Sequence, residues 1–192
     1  DFRPVAVKQN SGLRVSQDIV LTKPLGVGVL TTAIKAGRAT PDQADAAVAS
    51  MIRLNDVASR VALAAGATGC TDVTGFGLLG HLGRMAQESL VDVVLDSGSV
   101  PLLPGAWAFA EAGIIPGGTA RNLAAVEWQL DRGVVDELTV TLLADAQTSG
   151  GLVFGVDPGH AAAVVDQLRS TGHTAAVIGH VTGPGVGRIA LR

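Results

Sequence analysis

The chain has 192 residues, 47% of them hydrophobic and 16% charged, with a formal net charge of −3. That is enough for one large domain or two small ones with a sizeable core, and it contains no run of about 20 apolar residues, no signal-peptide pattern and no basic face for a nucleic acid. Aromatic residues are only 3% and there is no tyrosine, which excludes base-stacking platforms, and the lone cysteine, Cys70, excludes an internal disulfide framework and suits a reducing, cytoplasmic setting.

The chain begins at Asp1 rather than Met, so it reads as a processed, trimmed or partial chain. Residues 1–17 show no sustained period and read as a lead-in segment. "DIVLTK", 18–23, predicts a short strand closed by Pro24. "GVGVLTTAIKAG", 26–37, predicts a helix ending at Gly37. Thr40 and Pro41 open a helical stretch to residue 66, either one long helix or two broken near Asn55. "TGCTDV", 68–73, is a short strand. "FGLLGHLGRMAQES", 76–89, is a helix with Leu78, Leu82 and Met85 on one face. "LVDVVLD", 90–96, alternates as a strand does.

Two shorter helical patterns follow, 101–113 and 117–128, then a third over 134–146. "TSGGLVFGV", 148–156, is a glycine turn feeding a strand. "PGHAAAVVDQLRSTG", 158–172, is a helix with Gly172 past its end. "AAVIGHVT" and "GRIALR" are closing strands, with a hairpin expected around "GPGVG". Strands and helices interleave, so the class is α/β (α+β).

One stretch carries chemistry, "TDVTGFGLLGHLGRMA", residues 71–86. Gly75, Gly77 and Gly80 spell G-x-G-x-x-G after a strand and before a helix, and Asp96 lies 21 residues beyond Gly75 at the end of the next strand. A nicotinamide dinucleotide site fits that pattern. Three points oppose it. The strand is short and polar where a doubly wound sheet needs a continuous apolar run. No succession of further βαβ units follows. Asp72 would also repel a pyrophosphate, unless a divalent cation lay between them. Two other readings remain open: a metal-bridged phosphate site at a helix N-terminus, with Asp72 on the metal and the Gly75 and Gly77 backbone near the phosphate, or a capped turn whose glycines serve packing.

"LTKPLGVGVL" at 21–30, "TDVTGFGLLGHLGRMA" at 71–86 and "DAQTSGGLVF" at 145–154 occur in an order and spacing that resemble the C-terminal half of selenophosphate synthetase (selenide, water dikinase). That family falls within the wider aminoimidazole ribonucleotide synthetase-like superfamily. The likeness runs from about Asp18 to the C-terminus. It implies a C-terminal α/β domain over 18–192, with a mixed β-sheet and helices packed mainly on one face. It implies that residues 1–17 lead in from an N-terminal ATP-binding domain that the 192 residues do not include. The family makes selenophosphate from selenide, ATP and water with release of AMP and phosphate, requires Mg²⁺, and forms homodimers mainly through N-terminal domains. Its catalytic Cys or selenocysteine, its Lys and two metal-binding Asp residues belong to that other half. The resemblance therefore implies no catalytic nucleophile here, one Mg²⁺ ligand, Asp72, and a fragment inactive by itself. Ala146 stands where the family usually has Pro, which loosens the turn before Thr148, and Val27 replaces a common Thr. A non-catalytic interaction module of the same fold is the other alternative.

Further candidates read as structural. Cys70 has no adjacent base and reads as core filler. Lys23 could meet a phosphate, but reads first as a surface or interdomain contact. "QTSGG", 147–151, offers either a nest of N–H donors to an anion or a plain turn. His81, His160, His173 and His180 show no zinc spacing.

Overall fold

The structure, a computed structural model, describes residues 10–192. Its centre is a mixed seven-stranded sheet: β1 (Asp18–Leu21), β2 (Cys70–Asp72), β3 (Val91–Leu95), β4 (Leu130–Asp131), β5 (Leu152–Val156), β6 (Ala176–Pro184) and β7 (Ile189–Leu191). The spatial order is β2-β5-β1-β6-β3-β7-β4. Pairing is antiparallel from β2 through to β3, and parallel for β3–β7 and β7–β4. Two adjacent interior strands, β1 and β5, are almost wholly buried, and their sequences, "DIVL" and "LVFGV", read as apolar runs for that reason.

Eight helices connect the strands: α1 (Val27–Lys35), α2 (Pro41–Ile52), α3 (Asp56–Ala64), α4 (Gly77–Glu88), α5 (Ala106–Glu111), α6 (Thr119–Val126), α7 (Glu137–Leu143) and α8 (Pro158–Ser170). Alternation along the strands splits the core. Ile19, Leu21, Val153, Ile178 and Ile189 face one way and pack with Leu78, Leu82 and Met85 of α4, Val126 of α6 and Val140 of α7. Val20, Leu152, Phe154 and Val156 face the other way, against Ala58, Val61 and Ala62 of α3 and Val164, Val165 and Leu168 of α8. Cys70 is buried in this second cluster, as core filler. A third cluster joins α1, α2, α5 and Leu142 of α7. The mixed sheet matches the expectation, and its helix cover is unequal. α4, α6 and α7 cover one face, and α3 and α8 cover the reverse of β2, β5 and β1.

Local signals account for most boundaries. Thr40 and Gln43 form a reciprocal capping box ahead of Pro41. The helical stretch 40–66 breaks after Ile52, so the two-helix alternative holds. Gly37, Gly66 and Gly172 take positive φ just past α1, α3 and α8. The third pattern starts late, at Glu137, because Asp136 caps it by accepting the Thr139 N–H at 2.9 Å.

One expectation is corrected, and one strand is added. β6 and β7 do not form a hairpin. β3 lies between them, and the linking loop passes around its end. Asp92 on β3 holds that loop: its Oδ1 accepts the N–H groups of Val186, Gly187 and Arg188 at 3.0, 3.0 and 2.8 Å. β4 was not foreseen, since two residues carry no period.

Residues 1–9 of the lead-in segment lie outside the described residues. Residues 10–17 pack on the domain. Leu13 is buried in the first cluster, Ser89 Oγ accepts the Gly12 and Leu13 N–H groups, and Ser16 N–H donates to Val181 O.

Candidate functional site

Strand β2 is a sheet edge, and Asp72 is its last residue, exposed. The pairing Cys70↔Phe154, Thr71↔Val153, Asp72↔Leu152 fixes its register. Beyond it, Val73 is buried and donates its N–H to Gly151 O at 2.8 Å. Thr74 then turns the chain. Its carbonyl accepts the N–H groups of Gly77 and Gln147, both at 3.0 Å. Its own N–H donates to His81 Nε2 at 3.1 Å, and its Oγ1 lies 3.1 Å from the same nitrogen. His81 therefore reaches back from the second turn of α4 to close the loop that carries Asp72. Accepting a backbone N–H at Nε2 requires a neutral ring with its proton on Nδ1. Burial lowers the His81 pKa below its ordinary value, against the opposing charge of Asp72. Phe76, 67% exposed, sets its ring 5.8 Å from the imidazole.

The glycines of this stretch have separate tasks. Gly77 has φ +70°, and a Cβ there would lie 2.5 Å from Ala144 O at the end of α7. A Cβ on Gly80 would lie 2.7 Å from Phe76 Cβ, and one on Gly83 2.3 Å from Gln129 Nε2. These three serve close packing. Gly75 faces open space, and its carbonyl accepts Asn122 Nδ2 at 2.9 Å. The same amide nitrogen donates to Ala144 O at 3.0 Å, so Asn122 ties α6 to both the turn and α7. Of the two glycines expected near a phosphate, Gly77 spends its N–H on Thr74, and Gly75 alone stands clear.

The nicotinamide alternative is overturned here. A dinucleotide site needs its glycine turn on a central parallel strand, beside the strand that bears the ribose-binding acid. β2 is an antiparallel edge strand, and β3, which precedes Asp96, stands four places away in the sheet.

The other two quoted motifs meet the first. Thr22 Oγ1 accepts the Leu152 N–H at 2.8 Å, and Thr22 N–H donates to Leu152 O at 3.0 Å. Lys23, expected at a surface or interdomain contact, is 1% exposed. Its Nζ donates to Ser50 O at 3.1 Å, Arg53 O at 2.6 Å and Ser149 O at 2.8 Å. All three ammonium hydrogens are spent inside the molecule, joining β1, the end of α2 and the "QTSGG" turn. Burial lowers its pKa, and Arg53 lowers it further.

Asp145, in "DAQTSGG", is fully buried. Its Oδ2 accepts the N–H groups of Gly28 and Val29 at 3.0 and 3.3 Å and Gln147 Nε2 at 3.0 Å, and Gln147 Oε1 takes the Val27 N–H at 3.2 Å. Together the two side chains cap α1, whose N-cap is Gly26 with no cap of its own. Burial pushes the Asp145 carboxyl up to about 6, against the bonds from Val29, Gln147 and Gly28. Sequence reading missed Asp145, Gln147, Asn122 and the back-bonding of His81. One signal was present: α1 opens on a glycine with no Ser, Thr or Asp to cap it, so its cap had to come from elsewhere.

Asp72, the "QTSGG" turn and Lys23 thus lie at one end of the sheet, with Asp72 on the rim. Asp96 lies apart, after β3, while His180 pairs with Asp18 across β1 and β6 and His173 follows α8. Among the described residues no Lys, Arg or His forms an ion pair with Asp72. Nor does any group of three His, Cys, Asp or Glu among them stand close enough together to hold a metal ion. Asp72 can therefore contribute one ligand to a cation, not a complete site.

Residues 14–192 match the family model described as AIR synthase related protein, C-terminal domain. A selenide, water dikinase of Photorhabdus laumondii is 42% identical over 185 residues, 96% of this chain and 53% of that protein. A selenide, water dikinase of Porphyromonas gingivalis is 43% identical over 181 residues, 93% and 52%. The crystal structure of hydrogenase maturation protein HypE in complex with ATP superposes with a TM-score of 0.63 at 17% identity, over 96% of this chain and 49% of that one, a likeness of fold. The chain spans about half the length of the curated relatives it matches. It belongs to the AIR synthase related protein C-terminal domain family and is homologous to selenide, water dikinase over most of its length.

Proposed function

We propose that this chain is the C-terminal part of a selenide, water dikinase, the enzyme that makes selenophosphate from selenide, ATP and water and releases AMP and phosphate. Its share of the site is one Mg²⁺ ligand, Asp72, and the wall formed by the Thr74–Gly77 and Gln147–Gly151 turns. One observation carries this reading. The carboxylate of Asp72 stands exposed, without a cationic partner among the described residues, on the rim where the three motifs meet. A lone carboxylate suits Mg²⁺, which takes one or two carboxylates and fills its other positions with water and substrate phosphates. The HypE protein of the same fold, crystallised in complex with ATP, supports a nucleotide as the source of those phosphates.

When bound, Mg²⁺ neutralises phosphate charge, and phosphoryl transfer depends chiefly on such neutralisation and on positioning. The residues of this chain supply the positioning. His81 holds Thr74 and so fixes where β2 ends. Asn122 fixes the carbonyl of Gly75. Lys23 and Asn55 fix the neighbouring turn through Ser149 O and Gly150 O. The reacting groups, two further metal-binding carboxylates and the homodimer contacts are assigned to the other half of the protein, so the 192 residues form no AMP by themselves.

The test is Asp72→Asn in the full-length protein, which removes the charge and keeps the shape. Selenide-dependent AMP formation is measured across a Mg²⁺ titration. The expected loss is at least 100-fold at low Mg²⁺, equivalent to about 2.7 kcal/mol, with partial recovery at high Mg²⁺. Near-normal turnover at all Mg²⁺ concentrations sinks the assignment.

A further inference from the structure

We infer that the turn Thr148–Gly151 is a binding site for a tetrahedral oxyanion, of the phosphate class, held by main-chain amides. Three consecutive carbonyls of this turn have protein donors: Ser149 O takes Lys23 Nζ at 2.8 Å, Gly150 O takes Asn55 Nδ2 at 2.9 Å, and Gly151 O takes the Val73 N–H at 2.8 Å. The amides are treated oppositely. Among the described residues no acceptor takes the N–H of Thr148, Ser149, Gly150 or Gly151. Gly150 and Gly151 are buried, and a buried amide without an acceptor is costly and rare. Two in succession call for a ligand rather than a defect.

The backbone has the matching shape. Ser149 has φ +55°, one of three non-glycine residues at positive φ among those described. A left-handed residue within a turn aims successive N–H groups toward one side, a concavity that receives anions. Serine has no intrinsic preference for that conformation. The tied carbonyls impose it, and glycines at 150 and 151 permit it. A Cβ at Gly150 would lie 2.1 Å from Val73 O, and one at Gly151 2.5 Å from the Lys23 backbone nitrogen.

Charge and position agree with this. The buried Lys23 ammonium lies directly under the turn, on Ser149 O. Thr148 and Ser149 are exposed, and their hydroxyls can add donors at the rim. The bonds Gln147 N–H to Thr74 O and Val73 N–H to Gly151 O set the turn beside the end of β2, where Asp72 projects. The inference stands apart from the metal role given to Asp72, because amides bind an oxyanion with or without a cation.

The experiment is a titration of the ¹⁵N-labelled 192-residue chain with inorganic phosphate at constant ionic strength, with chloride as the control. The expected result is a saturable shift of the amide signals of Thr148, Ser149, Gly150 and Gly151, absent with chloride. Thr148→Val, which keeps every amide and removes one hydroxyl, is expected to weaken binding two- to fivefold at the same four amides. Asp72→Asn without Mg²⁺ is expected to bind phosphate at least as well as the parent, since it removes a repelling charge. Absence of a phosphate-specific shift at these amides overturns the inference, and so does a shift spread over the surface. Loss of turnover in full-length Asp72→Asn together with no phosphate response here leaves the metal reading standing and removes this one. The reverse outcome does the opposite.

Discussion

Lys23 and Asp72 are both charged residues of quoted motifs, and both lie at the same end of the sheet, Asp72 as the last residue of β2 and Lys23 just past β1. Their treatment is opposite. Lys23 is 1% exposed and its three hydrogens end on three carbonyls, whereas Asp72 is exposed with no ion-pair partner among the described residues. A charge satisfied by its own protein is architecture. A charge left facing outward, on a loop held by His81 and Asn122, is available to something else. The contrast separates an inner layer, made of Lys23, Asp145 and Gln147, from an outer rim of Asp72, Gly75, Thr148 and Ser149. The two layers should respond to substitution in different ways.

The largest effect belongs to Lys23→Met in the 192-residue chain. It keeps the apolar stem and strands three buried carbonyls, so the expected loss is about 3–5 kcal/mol in urea unfolding. Lys23→Arg does not restore it, because a planar fork cannot replace an ammonium that meets three converging acceptors. A loss below about 1 kcal/mol would move Lys23 from the inner layer to the rim.

The next effect separates two glycines of one motif. Gly77→Ala meets Ala144 O at 2.5 Å and must hold φ +70°, so it costs about 2–4 kcal/mol by overpacking and backbone strain together. Gly75→Ala meets nothing within 4 Å and stays within about 0.5 kcal/mol. Equal thermal shifts for the two would contradict the division of tasks within G-x-G-x-x-G.

Asp145 tests the inner layer through pH. Its carboxyl is raised from 3.8 to about 6 on folding, so between those values the folded state binds more protons than the unfolded state. Stability from this residue is full below pH 3.8 and falls as pH rises through about 6. The loss is about 3 kcal/mol by pH 7. Asp145→Asn keeps an oxygen for the Gly28 and Val29 N–H groups and removes the titration. The difference between parent and variant, followed by urea unfolding from pH 4 to 7, should change in the variant's favour. His81 and His173 slope the other way. Burial lowers both, so their contribution is full above pH 6.5 and falls below it, which is why the paired comparison is needed.

Much of this was legible in the sequence. Helix and strand order followed from periodicity and from Thr40, Pro41, Gly37 and Gly172, because those signals act over a few residues. Asp72 was legible only as a candidate: an acid beside a glycine turn also serves as a cap, and the resemblance, not the pattern, singled out its carboxylate. The strand order was not legible: β3 divides β6 from β7 through Asp92, which bonds to a loop 94–96 residues away. Nor was the inner layer. Lys23 looked like a surface lysine because its acceptors are backbone carbonyls at 50, 53 and 149, which no side-chain pattern records. The cap of α1 lies at 145 and 147 for the same reason.

The smallest expected effect is on stability, and it bears most closely on the rim. Asp72→Asn in the isolated chain should change the unfolding free energy by less than about 0.5 kcal/mol, since the residue is exposed and its fold contacts are made by backbone. It should still leave a trace on its neighbour. Asp72 is the charge that opposes burial in setting the His81 pKa. Its removal should therefore lower the His81 pKa further, seen as an acid-side displacement of the imidazole titration by NMR, with the Thr74 N–H bond to Nε2 kept. That pairing, an unmoved fold and a displaced neighbour, is the signature of a carboxylate held at a fixed place but not used by the structure. A destabilised Asn variant would make Asp72 part of the architecture, and an unmoved His81 would place its carboxylate away from the turn that the ring closes.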